Sequence, residues 1–288
     1  MQAGREPVFP TAQSLYQMIH PTLFCVMTCE KEFDTNKTLQ ELKGLGVRIM
    51  NRTTAFGLYD NCVIGLLERV TDHVSNPDTK LPRQRFWTIR AKHIIVGSGA
   101  LERHIAFNNN DIPGVMNVNA AKHYLNRYGV LAGENITLAT NNDSVYQTAI
   151  ELHEAGSKVT VLDSRKNINV DLPKEIELHL ETLPFSINGS KKIESLDVCK
   201  ASDKKNKNTI ICDQVLVSGG WSPIVHLVSH RGIKPVWNEE NLCFVPGEIK
   251  ENITVVGSAK GIWNNKDCIN SGIVGAVSYT HLTLPTKA

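Results

Sequence analysis

The chemistry open to this chain lies where short apolar runs stop in small residues. Ile94-Ile95-Val96 runs into Gly97-Ser98-Gly99-Ala100, Val215-Leu216-Val217 into Ser218-Gly219-Gly220-Trp221, and Ile253-Thr254-Val255-Val256 into Gly257-Ser258-Ala259. Small residues just past a buried strand let a ligand approach the backbone without meeting a Cβ. In open α/β sheets ligands sit there, in the crevice beyond the carboxyl ends of the strands. One acid belongs with them: Asp163 ends the run Lys158 to Leu162, where a ribose-binding carboxylate would lie in a nucleotide fold. The chemistry expected is the holding of a dinucleotide, and no residue is singled out as catalytic. His104, Tyr124 and His226 have no base-orienting partner visible in the sequence and are expected to be structural or interfacial.

Other chemistries recede on composition. The 288 residues include ten histidines and seven cysteines. There is no His-Glu-x-x-His and no Cys-x-x-Cys, so neither a catalytic metal nor a redox-active disulfide is expected. Cys25, Cys29, Cys62, Cys199, Cys212, Cys243 and Cys268 are scattered and read as reduced thiols of a cytoplasmic protein. A net charge of +2 gives no case for nucleic acid or an acidic membrane face. The basic run Lys204-Lys205-Asn206-Lys207 reads as a solvated hairpin turn. No segment approaches the roughly 18 apolar residues of a membrane helix. With 41% hydrophobic residues the chain can bury one large core or two medium ones.

The elements that must position the glycines repeat. Extended runs at Cys62 to Val70 and Arg85 to Ile89 feed the first glycine exit, and runs at Lys192 to Cys199 and Thr209 to Ile211 feed the second. The third apolar strand, after the second copy, implies that the chain returns to its first sheet. Upstream, Thr38 to Lys43 reads as a short helix closed by Gly44 and Gly46, and Val47 to Met50 as a strand. Asn51 to Gly57 either lends backbone groups to an adenine ring or turns between strands. Residues 1 to 30 show no clear period, and the strand, glycine loop and helix that should open such a fold are expected upstream of Met1.

Asn108 to Val115 is a loop by composition, and the helical pattern Asn119 to Arg127 with Gly129 and Gly133 is the expected crossing into a second domain. Ile136 to Ala139, a loop at Thr140 to Val145, a helix through Thr148 to Ala155, Gly156, and Lys158 to Asp163 form a mononucleotide-binding unit. Its loop has asparagine, aspartate and serine where glycines are expected. Asp143 would repel a pyrophosphate there, so a retained fold with a lost or altered ligand is expected. Asp171 to Leu183 can form a helix with Pro173 in its first turn. Ile224 to Glu251 crosses back, and Asn270 to Ala276 starts a helix facing the cofactor. Ser278 to Ala288 has no turn or helix logic and resembles translated sequencing-adapter sequence, so it is expected to be non-native.

RTTAFGLYDN at 52 to 61, RAKHIIVGSGALER at 90 to 103, NNDIPGVMNVNAAKHYLNRYGV at 109 to 130, TNNDSVYQTA at 140 to 149, LVSGGWSP at 216 to 223 with His226, and FVPGE at 244 to 248 resemble the α subunit of heterotetrameric sarcosine oxidase. The resemblance implies an α/β fold of two Rossmann-like dinucleotide-binding domains, the second inserted in the first, like the pyridine nucleotide-disulfide oxidoreductases. The domains then run 38–118 with 224–277, and 119–223, after a poorly defined segment 1–37 and before the tail 278–288. It implies oxidative demethylation of sarcosine to glycine, with hydrogen peroxide formed and a one-carbon unit passed to tetrahydrofolate. NAD is implied in the first domain, FMN at a subunit interface and FAD in a partner subunit, with β, γ and δ subunits completing the complex. Thr54, Ala55, Gly97, Ser98, Gly99, Ala100, Gly257 and Ser258 are the implied cofactor contacts. The family's N-terminal glycine loop and folate-binding domain lie outside these residues, so the chain alone is expected to be inactive. Two alternatives remain: an FAD/NAD(P)-dependent dehydrogenase of the opine oxidase or proline dehydrogenase group, and a non-catalytic scaffold.

Overall fold

A computed structural model describes residues 35–249 and 252–283. The reading of residues 1 to 30 and the upstream cysteines Cys25 and Cys29 lie outside the described residues. The chain forms two compact units, one holding the described residues up to Ala100 and from Ser222 onward, the other Leu101–Trp221.

The first unit begins with α1 (Thr35–Gly44). Antiparallel strands β1 (Thr53–Tyr59), β2 (Val63–Arg69) and β3 (Gln84–Arg90) follow in the order β1-β2-β3. Residues alternate across β3: Trp87 and Ile89 are partly covered while Phe86 and Thr88 face out. Phe86 stacks obliquely on Phe56 at 5.1 Å between ring centroids. Gly65 lies under that Phe56 ring, and a Cβ there would come within 2.5 Å of it. Two expectations are corrected here. Val47 to Met50 is no strand, only a single bridging residue at Ile49. Asn51 to Gly57 is not a free turn, because Thr54 and Ala55 are already paired in β1 with Leu67 and Leu66.

Next, β4 (Ile94–Val96) pairs in parallel with the much later β17 (Ile253–Val255) in the register Ile94–Ile253, Ile95–Thr254 and Val96–Val255. The expected return to the first sheet therefore occurs. Ile94, Val96, Ile253 and Val255 bury against Leu58, Val228 and Ala259. The chain then leaves the unit through β5 (Ala100–Glu102).

The second unit is organised on a five-stranded parallel sheet. Its strands β6 (Val115–Asn117), β7 (Asn135–Thr140), β8 (Lys158–Asp163), β9 (Glu177–Leu180) and β13 (Gln214–Ser218) stand in the order β6-β13-β7-β8-β9. Helices α2 (Val118–Tyr128) and α3 (Tyr146–Glu154) bury Val118, Ala121, Ala149 and Leu152 against Ile136, Leu138, Val159, Val161 and Leu216. The other face, Ala139, Leu162, Val215 and Val217, packs against an antiparallel sheet of β10 (Thr182–Gly189), β11 (Ile193–Lys200) and β12 (Asp203–Ile211). Apolar residues on both faces are what a doubly covered parallel sheet demands.

Three expectations shift. The crossing lies at Ala100/Leu101 rather than 118/119, because Val118 and Ala121 of α2 belong to the second core. Asp171 to Leu183 is not helical: the edge of β8 pairs with Glu177–Leu180, so β8 supplies hydrogen bonds that a helix would have made internally. Lys204, Lys205 and Lys207 are exposed but lie inside β12, the turn being tighter, at Ala201-Ser202.

After β14 (Trp221–Pro223) the chain re-enters the first unit through α4 (His226–Ser229), β15 (Val236–Asn238), β16 (Cys243–Val245), β17 and a 3-10 turn at Gly257–Lys260. It ends in α5 (Asn265–Thr283). The helix continues through Ser278 to Thr283, where the sequence shows no helical logic.

Candidate functional site

In the first unit the site is the pair of glycine exits at the carboxyl ends of β4 and β17. The backbone N–H of Val256 donates to Val96 O at 3.0 Å, which keeps the two exits side by side past the last paired residues. An added Cβ at Gly97 would meet Val256 Cγ2 at 3.7 Å, ordinary contact. Gly99 and Gly257 adopt φ of 80° and 65°, the left-handed region that glycine enters without cost. Gly97, Ser98 and Gly99 are thus brought together with Gly257 and Ser258, as the sequence implies. Their groups are partly committed, however. Ser98 Oγ donates to Ile224 O at 2.7 Å, and the Gly257 N–H donates to Ser271 Oγ at 3.2 Å. Ala100 opens β5, while Thr54 and Ala55 belong to the separate β1-β2-β3 sheet. The Gly99 carbonyl likewise accepts from the Ile224 N–H at 2.9 Å, so Gly97 is the least committed glycine of this exit.

The second unit shows a similar strand end, crossed by side-chain hydrogen bonds of the protein itself. Asn142, preceding a 3-10 turn at Asp143–Val145, accepts on Oδ1 from the Ser144 N–H at 3.2 Å and the Ser144 hydroxyl at 2.6 Å. Its Nδ2 donates to Ser218 O and Ser218 Oγ, both at 3.2 Å, and Trp221 Nε1 donates to Ser144 Oγ at 2.9 Å. Asn142 thus takes the Ser144 N–H, one of the donors that a phosphate would use at the start of a helix. Replacing Asn142 with alanine is expected to cost about 1 kcal/mol, the usual value of a lost N-terminal cap, read as a lower urea midpoint.

Asp163 is correspondingly no ribose ligand. Its side chain is fully buried. Tyr146 Oη donates to Asp163 Oδ2 at 2.6 Å, Arg165 Nη2 to the same oxygen at 2.8 Å, and Arg165 Nε and the Arg165 N–H to Oδ1 at 3.0 and 2.8 Å. Burial works to raise the carboxyl pKa, but the hydrogen bonds from Arg165, Tyr146 and the Arg165 backbone prevail and hold it below the usual value. Burial first, and the Asp163 charge after it, push the Tyr146 phenol up, so it stays protonated. Asp143, expected to repel a pyrophosphate, is itself paired with Arg165 at 2.6 Å. Arg165 was overlooked in the sequence, although its place two residues after the strand-ending acid is a signal for such a clamp.

His104 and His226 are exposed, and His226 starts α4. Tyr124 is 48% exposed on α2. Cys62, Cys199, Cys212, Cys243 and Cys268 form no disulfide among the described residues. Among the described residues no cluster of histidine, cysteine or carboxylates could hold a metal, and no helix is long and apolar enough to cross a membrane.

No protein-family model matches the chain. It is 39% identical over 242 residues to the sarcosine oxidase subunit alpha of Rhizobium meliloti (strain 1021), a match covering 83% of this chain and 24% of that protein. It is 34% identical to the sarcosine oxidase subunit alpha of Corynebacterium sp. (strain U-96), covering 77% and 24%. The chain thus spans about a quarter of the length of the curated relatives it matches. Among solved structures, L-proline dehydrogenase from P. horikoshii superposes with a TM-score of 0.62 at 20% identity, covering 86% of this chain and 45% of that one. Thioredoxin reductase from Lactococcus lactis does so with 0.58 at 17%, covering 85% and 77%. The shared fold is that of two Rossmann-like dinucleotide-binding domains.

Proposed function

Over the matched residues the chain belongs to the sarcosine oxidase subunit alpha family, and from that membership we propose that it supplies the NAD-binding domain and part of an FMN interface to a sarcosine-oxidising complex. The observation that carries this reading is the pairing of β4 with β17, which places two glycine exits side by side in a unit related to those subunits. Gly97 and Gly99, with Gly257 and Ser258 opposite, would hold the dinucleotide through backbone contact. Their fit rests on the absence of any Cβ at Gly97 and on the left-handed turns at Gly99 and Gly257. When bound, the nicotinamide and flavin groups would supply hydride and electron transfer. The residues of this chain would bind and orient them, and none acts as a catalytic acid or base.

The second unit takes no part in holding a nucleotide in this reading, because Arg165 already pairs with Asp143 and Asp163 while Asn142 is bonded to Ser144 and Ser218. Sarcosine would be oxidised to glycine with hydrogen peroxide formed, the one-carbon unit passing to tetrahydrofolate. FAD would sit in a partner subunit, β, γ and δ subunits would complete a cytoplasmic heterotetramer, and this chain alone would be inactive.

The test is to express the full-length gene with its neighbouring subunits and identify the cofactors freed on denaturation. Release of NAD with FMN and FAD is the expected result. FAD alone, bound by this polypeptide in isolation, would move the protein to the opine oxidase or proline dehydrogenase group. A complex active without any cofactor bound to this chain would leave it a scaffold.

A further inference from the structure

A second candidate site lies wholly within Leu101–Trp221. A pocket of about 810 Å³ is lined by Glu102 and Asn117 at one side and by Ala120, Tyr124, Tyr128 and Val130 along another. Its volume falls within the range of small-molecule sites. Ala120, Tyr124 and Tyr128 are spaced four apart on α2 and so share one face of the helix. The two tyrosines are 48% and 59% exposed, with ring centroids 6.2 Å apart. Tyr128 already faces one cation, the Arg127 guanidinium, whose Cζ lies 5.6 Å from the ring centroid.

The polar side of the pocket holds the Glu102 carboxylate and the Asn117 amide, with Asn119 and His123 beside them, and Glu102 is also hydrogen-bonded to Ser218. The Asn119 N–H donates to Glu102 Oε2 at 2.8 Å, so Glu102 serves the start of α2 in place of Asn117, whose own side chain makes no capping bond. Asn117 Nδ2 instead donates to Glu102 O at 3.3 Å, which orients the amide. Asn117 Oδ1 is then buried and accepts from no donor among the described residues. Burial pushes the Glu102 carboxyl up, a penalty that a neighbouring positive charge would relieve. No lysine or arginine is among the lining residues. A carboxylate beside the exposed faces of Tyr124 and Tyr128, one of which already accepts a guanidinium, favours a cationic guest.

We propose that this pocket binds an organic cation, an ammonium group on an aromatic or apolar body, with the ammonium donating to Glu102 and the body lying against Tyr124 and Tyr128. The inference rests on this geometry and not on the proposed role of the glycine exits. Calorimetric titration of the full-length protein with tryptamine, neutral tryptophol and anionic indole-3-acetate tests it. Tryptamine should bind about tenfold tighter than tryptophol, as expected for a charge-assisted bond, and indole-3-acetate should bind weakest. Glu102→Gln, which keeps the shape and an acceptor for the Asn119 N–H, should remove the tryptamine preference while leaving tryptophol binding unchanged. Tyr124→Leu should weaken both tryptamine and tryptophol. Equal affinity for the three probes, no binding of any, or an unaltered tryptamine preference in a folded Glu102→Gln protein would each overturn the proposal and leave Glu102 a helix cap alone.

Discussion

Asp163→Asn is expected to destabilise the Leu101–Trp221 unit by about 3 kcal/mol, the scale of breaking a buried charge pair from one side. The native carboxylate accepts from Tyr146, from two guanidinium nitrogens and from a backbone N–H. An amide keeps one acceptor oxygen and turns an NH2 group toward donors. Arg165 is 31% exposed and retains Asp143, which limits the loss. Tyr146→Phe removes a single bond and should cost about 1 kcal/mol. The double variant should lose less than the sum, since both changes act on one network. Hydrogen exchange of the β7 and β8 amides in urea reads these differences locally.

The same carboxylate sets a pH dependence with a definite sign. Its folded pKa lies below the ordinary value, so the unfolded chain takes up the proton more readily. The stabilisation is present above the ordinary carboxylate range, from about pH 5 upward, and is lost as pH falls through the folded value. The advantage of the native protein over Asp163→Asn should therefore be constant near neutrality and shrink in acid. An advantage that grew toward acid would mean the carboxylate is not held ionised.

Gly97→Ala is expected to leave the fold standing and to reduce dinucleotide retention by tenfold or more, about 1.4 kcal/mol or greater. The two effects separate because an added Cβ at Gly97 meets only Val256 Cγ2, at 3.7 Å. The cost thus falls on whatever approaches the strand exit rather than on the core. Ser98→Ala is the contrasting change: it removes the 2.7 Å bond to Ile224 O and should cost about 1 kcal/mol of stability, with retention little altered. Quantifying cofactor released per polypeptide from the purified full-length complex distinguishes them. Retention equal to that of the native protein in Gly97→Ala would remove the glycine exit as the binding place.

Much of the framework is legible in the residues because it depends on short-range patterning. Ile94 to Val96, Val215 to Val217 and Ile253 to Val255 are apolar runs bounded by small residues, and each is a buried parallel strand. The helix, glycine and strand sequence from Tyr146 to Asp163 follows the spacing of a mononucleotide unit, and the hairpin-fed glycine exit, used twice and followed by a third strand, signals the return to the first sheet. What the tertiary structure alone decided is which groups remain for a ligand. Ser98 and Asp163 both have the type and place of cofactor ligands, yet Ile224 O takes the hydroxyl and Arg165 with Tyr146 takes the carboxylate. Residues 177 to 180 became a strand because β8 presented an open edge, and the Glu102 pocket exists because α2 brings Tyr124 and Tyr128 beside a carboxylate from β5. Periodicity within a few residues writes the strands and helices. Hydrogen-bond partners are chosen among groups distant in the chain, so only the folded molecule shows whether a polar side chain is spent on the protein or left for a ligand.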